Sequence, residues 1–205
     1  MFLVRKTAPA VTAVDLTTVK QHLRISNTAS DTWLTSAIAL AGEILDGPNG
    51  RLRRALATQT WYQYREEFPC DDEWRLPLPP LQSVTAVTYL DLDGTRQTVS
   101  AASYNVTTPD GAAGEIELLT GYSWPADVLD RDDAVRVEFV CGYGAASDVP
   151  APIRHAMLLI ISDLFANRGD EAGESKVALS GAALVTAAGV ATDSLLSRYL
   201  WREVA

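Results

Sequence analysis

His22 and His155 are the only two histidines in the 205 residues, and each falls on a helix-like stretch close to an arginine, Arg24 or Arg154. A zinc or other transition-metal site needs three or four His, Cys or carboxylate ligands at tight spacing, and neither histidine has them. Both therefore read as structural residues of helices. The acidic clusters Cys70-Asp71-Asp72-Glu73 and Asp130-Arg131-Asp132-Asp133 could in principle hold a divalent ion or supply a general base. Neither carries the ligand spacing and central glycine of a calcium loop, so both read as solvated turns between strands. Gly142-Tyr143-Gly144 is too short for a phosphate loop, and no Lys-Ser or Lys-Thr follows it. It reads as the place where the chain leaves a sheet and turns towards a helix. GxSxG, HExxH, Walker and GxGxxG patterns are all missing from the sequence. The residues thus point to no catalytic site, no metal and no cofactor.

The two cysteines, Cys70 and Cys141, form no CxxC pair, and reduced thiols in a cytoplasmic product are the expectation. No apolar run approaches the ~18–20 residues that span a bilayer, so no membrane partner is expected. The first residues, MFLVRKTAPAVTAVDL, reach charge too soon for a secretory signal. The formal net charge is −9. Binding to nucleic-acid phosphates needs clustered Lys and Arg, so an acidic chain of this kind is not expected to grip DNA. The acidic residues are spread along the chain, which reads first as a solvated surface, with a surface that DNA passes without sticking as the sharper alternative.

Four stretches would position these residues. Asp15 is a good N-cap for a short helix with Leu16, Val19 and Leu23 on one face. After a polar loop over residues 26–30, Ser30 or Asp31 caps a longer helix whose apolar stripe includes Trp33, Leu34, Ile38 and Leu45. Gly47-Pro48-Asn49-Gly50 stops it, which makes an αα-hairpin. From about residue 57 the period changes to that of strands: 60–64, 84–90, 95–99, 104–107, 115–118 and 135–140. Asp93-Gly94 supplies a tight turn between two of them. Pro150 and Pro152 then open the most apolar helix, which should be central in a core.

The fold class is therefore α+β: an α-helical core with an inserted antiparallel β domain and a C-terminal tethered helix. The core would be the N-terminal helix hairpin plus the central helix. The expected boundaries are a helical part at 1–52, the β domain at 53–148, the core helix at 149–168, and a flexible arm with a short helix at 169–205. Residues 169–191 are mostly Gly, Ala, Ser and Val. Asp193 then looks like the cap of a helix carrying Leu195, Leu196, Tyr199, Leu200 and Trp201, too short to be stable alone in water. It must dock either on its own domain or in a partner's groove. Those five residues are the candidate partner-binding site.

The ordered series of motifs resembles the head–tail connector (adaptor) proteins of long-tailed phages, prophages and gene transfer agents. The series begins with Asp15-Leu16-Thr17-Thr18-Val19-Lys20-Gln21-His22-Leu23-Arg24-Ile25. It continues through Asn49-Gly50-Arg51, Thr58-Gln59-Thr60-Trp61 and Leu78-Pro79-Pro80-Leu81-Gln82-Ser83-Val84. Asp93-Gly94-Thr95, Tyr104-Asn105-Val106 and Ser123-Trp124-Pro125 follow. The series closes with residues 135–144, Val149-Pro150-Ala151-Pro152-Ile153 and Ala166-Asn167-Arg168. The resemblance covers roughly residues 14–168. It implies a homo-oligomeric ring, typically a dodecamer, below the portal protein in the neck of a virion or virion-like particle assembled in the host cytoplasm. Such a ring extends the DNA channel, lets DNA pass without specific binding, and receives a downstream stopper or tail protein. It also implies that C-terminal segments reach the portal. A stopper or tail-terminator role is the runner-up. A small hydrolase or ligand-binding protein using the β region is a third reading, which would need a pocket lined by His22, His155 or the cluster at 130–133.

Overall fold

In the computed structural model, which describes residues 1–108, 111–167 and 187–201, Asp15 caps helix α1 (Leu16–Leu23) by accepting the Thr18 N–H at 2.6 Å. The helix ends on Arg24 in the left-handed conformation, its N–H donating to the Gln21 carbonyl. Helix α2 (Asp31–Leu45) buries Leu34, Ala37, Ile38, Ala41 and Leu45, the single stripe that its spacing predicts. Lys20 reaches Asp31 at 2.7 Å and ties the two helices together. Helix α3 (Ala151–Ala166) begins with Pro152 in its first turn and buries Ile153, Ala156, Met157, Ile160 and Ile161. These side chains and helix α4 (Ala187–Leu196) share one apolar cluster.

A second cluster belongs to the strands. Strand β1 (Phe2–Thr7), β2 (Gln59–Arg65), β8 (Val135–Cys141), β4 (Leu81–Leu90) and β5 (Arg96–Thr98) lie side by side in that order, all antiparallel. Strands β3 (Glu73–Arg75), β7 (Glu115–Leu118) and β6 (Tyr104–Thr107) make a smaller antiparallel sheet. Both sheets contribute to the same apolar layer: Val87, Val137 and Phe139 from one, Trp74 and Ile116 from the other. Phe68 stacks on Trp124 within this layer and meets Trp74 edge-on. The chain is thus mixed α and β, with four helices and antiparallel sheets among the described residues. None of those helices is long and apolar enough to cross a membrane.

Several expectations change. Residues 2–7, placed in a purely helical N-terminal part, form the edge strand β1. The strand pattern over 84–90 is interrupted by a register shift between Val84 and Ala86, and another shift precedes it, between Leu81 and Ser83. Such a bulge lets Val84 and Val87, three residues apart, both reach the apolar layer. Glu73, read as part of a turn, begins β3. Asp193 is not a cap: the helix begins six residues earlier, at Ala187. The flexible arm expected over 169–191 lies outside the described residues up to 186.

The helical and strand clusters meet where residues 54–58 cross against residues 142–144. Tyr143 N–H donates to the Leu56 carbonyl, and Thr58 N–H donates to the Gly144 carbonyl. Gly142 has φ +115°, and a Cβ there would stand 2.3 Å from the Ala57 carbonyl oxygen. Only glycine fits both demands. Gly142→Ala is therefore expected to lower stability by about 2–3 kcal/mol, read as a fall in the urea midpoint at unchanged slope.

Candidate partner-binding surface

The C-terminal segment docks on the chain's own helical cluster. Leu196 is 1% exposed, while Leu195, Tyr199 and Leu200 pack against the same cluster and stay partly accessible. A short 3₁₀ turn, Ser197–Tyr199, follows α4. Trp201 is half-buried, and its N–H donates to the Leu52 carbonyl at 3.0 Å. Asp193 pairs with Arg51. Of the two destinations open to this helix, the structure thus places it on its own domain. The five candidate residues come together there, with Leu196 turned inwards and the other four at the surface.

Arg54 fastens this arrangement, and nothing in the sequence singles it out. Its guanidinium is buried, with Nε donating to the Tyr199 carbonyl and a terminal nitrogen donating to the Gly111 carbonyl. Another donation, at 3.5 Å, reaches the Tyr143 hydroxyl. One cation therefore joins the C-terminal turn, the connection between β6 and β7, and the chain leaving β8. Partners 57 to 145 residues away carry no local signature, so a single sequence could not reveal them.

Two cavities flank the helices. The first, about 810 Å³, is walled by β1, the residues after it and α2, with Arg5, Glu43, Asp46, Trp61 and Met157 among its lining. The Asp46 carboxylate accepts the Leu56 N–H at 2.7 Å and Gln59 Nε2 at 3.0 Å, and Gln59 Oε1 in turn accepts the Trp61 indole N–H. Burial dominates these favourable contacts and holds the Asp46 carboxyl above the ordinary aspartate range. Cys141, buried close by, has its thiol pushed well up by desolvation and by the Asp46 charge, so it is inert as a nucleophile. Cys70 is a free thiol at the surface.

The second cavity, also about 810 Å³, lies at the starts of α1 and α3, with Thr18, Ser147, Arg154, His155, Leu158 and Leu195 in its wall. His155 and His22 are both exposed, and their rings meet edge-on with centroids 6.2 Å apart. Asp15, also in the wall, is committed to the Thr18 N–H, which lowers its pKa, and the Ser147 hydroxyl contacts Asp148. Among the described residues, Asp15 is engaged by Thr18 and Ser147 by Asp148, and no hydrogen bond links either of them to His155. In the cluster at 130–133, Arg131 makes two hydrogen bonds to Asp133, at 2.6 and 2.8 Å, which lower the Asp133 pKa. No group of three His, Cys, Asp or Glu among the described residues could hold a metal ion.

Solved structures carry the same architecture over the whole chain. A chain in the neck of an empty gene transfer agent particle, computed with C6 symmetry, superposes with a TM-score of 0.75 at 24% identity; the match covers 100% of this chain and 98% of that one. The likeness establishes the fold. A chain in the neck of the native particle, computed with C12 symmetry, gives a TM-score of 0.69 at 23% identity with the same coverage. A chain of the native virion gives 0.69 at 24%. No protein-family model matches the sequence, and no curated protein matches it either.

Two outcomes follow from this packing. Leu196→Ala should cost about 2–5 kcal/mol, because it empties a fully buried site between α4 and the other helices; chemical denaturation reads it directly. Asp46, with a folded pKa raised above its ordinary 3.8, favours the protonated folded state. Its contribution to stability is complete below pH 3.8 and is lost as pH rises through the folded pKa. The wild type should therefore lose stability relative to Asp46→Asn across that window, as measured by denaturation at a series of pH values. A difference between the two proteins that stays constant with pH would remove Asp46 as the source.

Proposed function

We propose that this chain is a non-catalytic head–tail connector (adaptor) subunit, which forms a ring below the portal, extends the DNA channel and joins the capsid to the tail. The observation that carries the reading is the full-length structural likeness to chains from gene transfer agent necks, complete in both directions. The C6 and C12 symmetries of those necks suit a ring, with twelve subunits as the reading's number. The net charge of −9 suits a channel along which DNA slides without being held. The localisation that follows is the neck of a virion or virion-like particle, with a stopper or tail protein as the downstream partner.

In this reading the helical domain consists of residues 1–52, apart from the edge strand β1, and 149–168, and residues 53–148 are an antiparallel β insertion whose large sheet β1 joins. Residues 169–205 form the segment directed at the portal. Leu196 roots that segment, and Leu195, Tyr199, Leu200 and Trp201 offer the apolar and aromatic contact area that interfaces favour.

Mixing the purified chain with the portal protein of its own particle tests this. Electron microscopy is expected to show a ring seated on the portal; a chain that stays monomeric with the portal present overturns the reading. Trp201→Ser is expected to keep its fold by circular dichroism and to bind the portal at least about tenfold more weakly, as measured by calorimetry. Unchanged binding removes the portal role from residues 195–201 while leaving the ring untouched.

A further inference from the structure

The tip of the hairpin between β4 and β5 presents an exposed leucine between two aspartates. Leu92 is 64% exposed, the second highest figure among the large apolar side chains at the surface. Its neighbours are Asp91 and Asp93. The turn beneath it is rigidly built. Asp91 Oδ1 accepts the N–H groups of Asp93 and Thr95, at 3.1 and 2.8 Å, and Oδ2 accepts Gln97 Nε2 at 2.8 Å. Gly94, at φ +78°, donates its N–H to the Asp91 carbonyl. The Asp91 carboxylate is thus consumed within the turn, whereas Asp93 is exposed at the surface. A pre-formed tip with an apolar point and a carboxylate beside it loses little conformational freedom on binding.

The cavity at the starts of α1 and α3 has the complementary chemistry. Leu158, Leu195 and Val14 give it an apolar floor, and Arg154 and His155 give it a donor rim. Arg154 Nε is buried and has no hydrogen-bond partner among the described residues, which in a folded protein calls for an acceptor. The other large cavity sets two carboxylates, Glu43 and Asp46, beside its one arginine, Arg5, whereas the one carboxylate here, Asp15, is already engaged by the Thr18 N–H. The hairpin tip and the cavity also lie at opposite ends of the molecule. Strand β8 runs from Val135, paired with Tyr89 near the tip, to Cys141, paired with Leu81 at the helical end. That is about 20 Å of strand, so a chain cannot fill its own cavity.

We propose that the hairpin tip carrying Leu92 and Asp93 inserts into the Arg154–His155 cavity of a second copy of this chain. Leu92 meets Leu158 and Val14, and Asp93 supplies the acceptor for Arg154. The contact is heterologous, with different surfaces on the two copies, and repeated head to tail it closes a ring when the rotation between copies closes. The inference rests on the connector reading for its ring and names the surfaces that build it.

The test mixes two full-length variants, both carrying Cys70→Ser so that no exposed native thiol remains. One carries Leu92→Cys and the other Ala151→Cys, on the rim of the cavity. Oxidised glutathione accepts the two electrons as the two thiols lose their protons and join. A disulfide-linked heterodimer on a non-reducing gel is expected, in clear excess over the control pair Tyr122→Cys with Ala151→Cys. In the same assay Asp93→Arg should weaken association at least about tenfold, and Arg154→Glu in the partner should restore it. Rings that form on the portal without this cross-link sink the inference and leave the connector reading standing. A chain that gives neither ring nor heterodimer sinks both. A Leu92→Cys chain that links to another particle protein, or is protected by DNA, also overturns the proposal.

Discussion

Residues 54–57 are buried, and much of the molecule is held through them and Thr58. Behind them the Asp46 carboxylate takes the Leu56 N–H, and the Gly47 N–H donates to the Arg54 carbonyl. In front, residues 142–144 exchange hydrogen bonds with Leu56 and Thr58. From the side, the Ala55 N–H reaches the Pro79 carbonyl, while the Gly142 N–H reaches the neighbouring Pro80 carbonyl. Buried backbone groups of a segment joining two apolar clusters need partners other than water, and here Arg54, Ala55, Leu56 and Thr58 find theirs on several different elements. At Gly142 the two segments of this crossing come so close that a Cβ would meet the Ala57 carbonyl.

The buried Asp46 fits this logic better than a catalytic one. Desolvation penalises its charge, yet it receives a backbone N–H and the Gln59 amide, whose other end is fixed by the Trp61 indole. A hydrogen-bonded chain of this kind specifies one arrangement, because any slip leaves a buried donor unpaired. Gln63 repeats the device four residues further along β2, accepting the Trp74 indole N–H at 3.1 Å and so linking the large sheet to the small one.

What could be read from the sequence follows from where the stabilising partners lie. Asp15 caps α1 through an N–H three residues on, and β8 alternates because its own inward residues Val135, Val137 and Phe139 carry the pattern. These signals are local. Strand β1 has no such signal: Phe2, Val4, Arg5 and Lys6 lie largely exposed, and its pairing with β2, some sixty residues later, makes it a strand. Strand β3 is three residues long, with charge on either side of Trp74. The start of α4 was hidden by Asp193, a good cap by type, which instead stands within the helix and pairs with Arg51, 142 residues earlier. Arg54 was invisible for the same reason, since each of its acceptors comes from a distant stretch of chain.

The docked C-terminal helix changes how the proposed site must work. A segment loose in water would bind a portal by folding on it, and would spend much of its contact energy on ordering. Here Leu196 and the Arg54 hydrogen bond have already fixed the turn at residues 197–199, so Tyr199, Leu200 and Trp201 stand as a pre-arranged surface. Arg54 also holds Gly111 and Tyr143. A partner that displaced the C-terminal turn would leave a buried guanidinium short of an acceptor, which costs more than the hydrogen bond gained in forming it. The energetically consistent picture is addition to the outer side of this turn, with the helix kept where it lies.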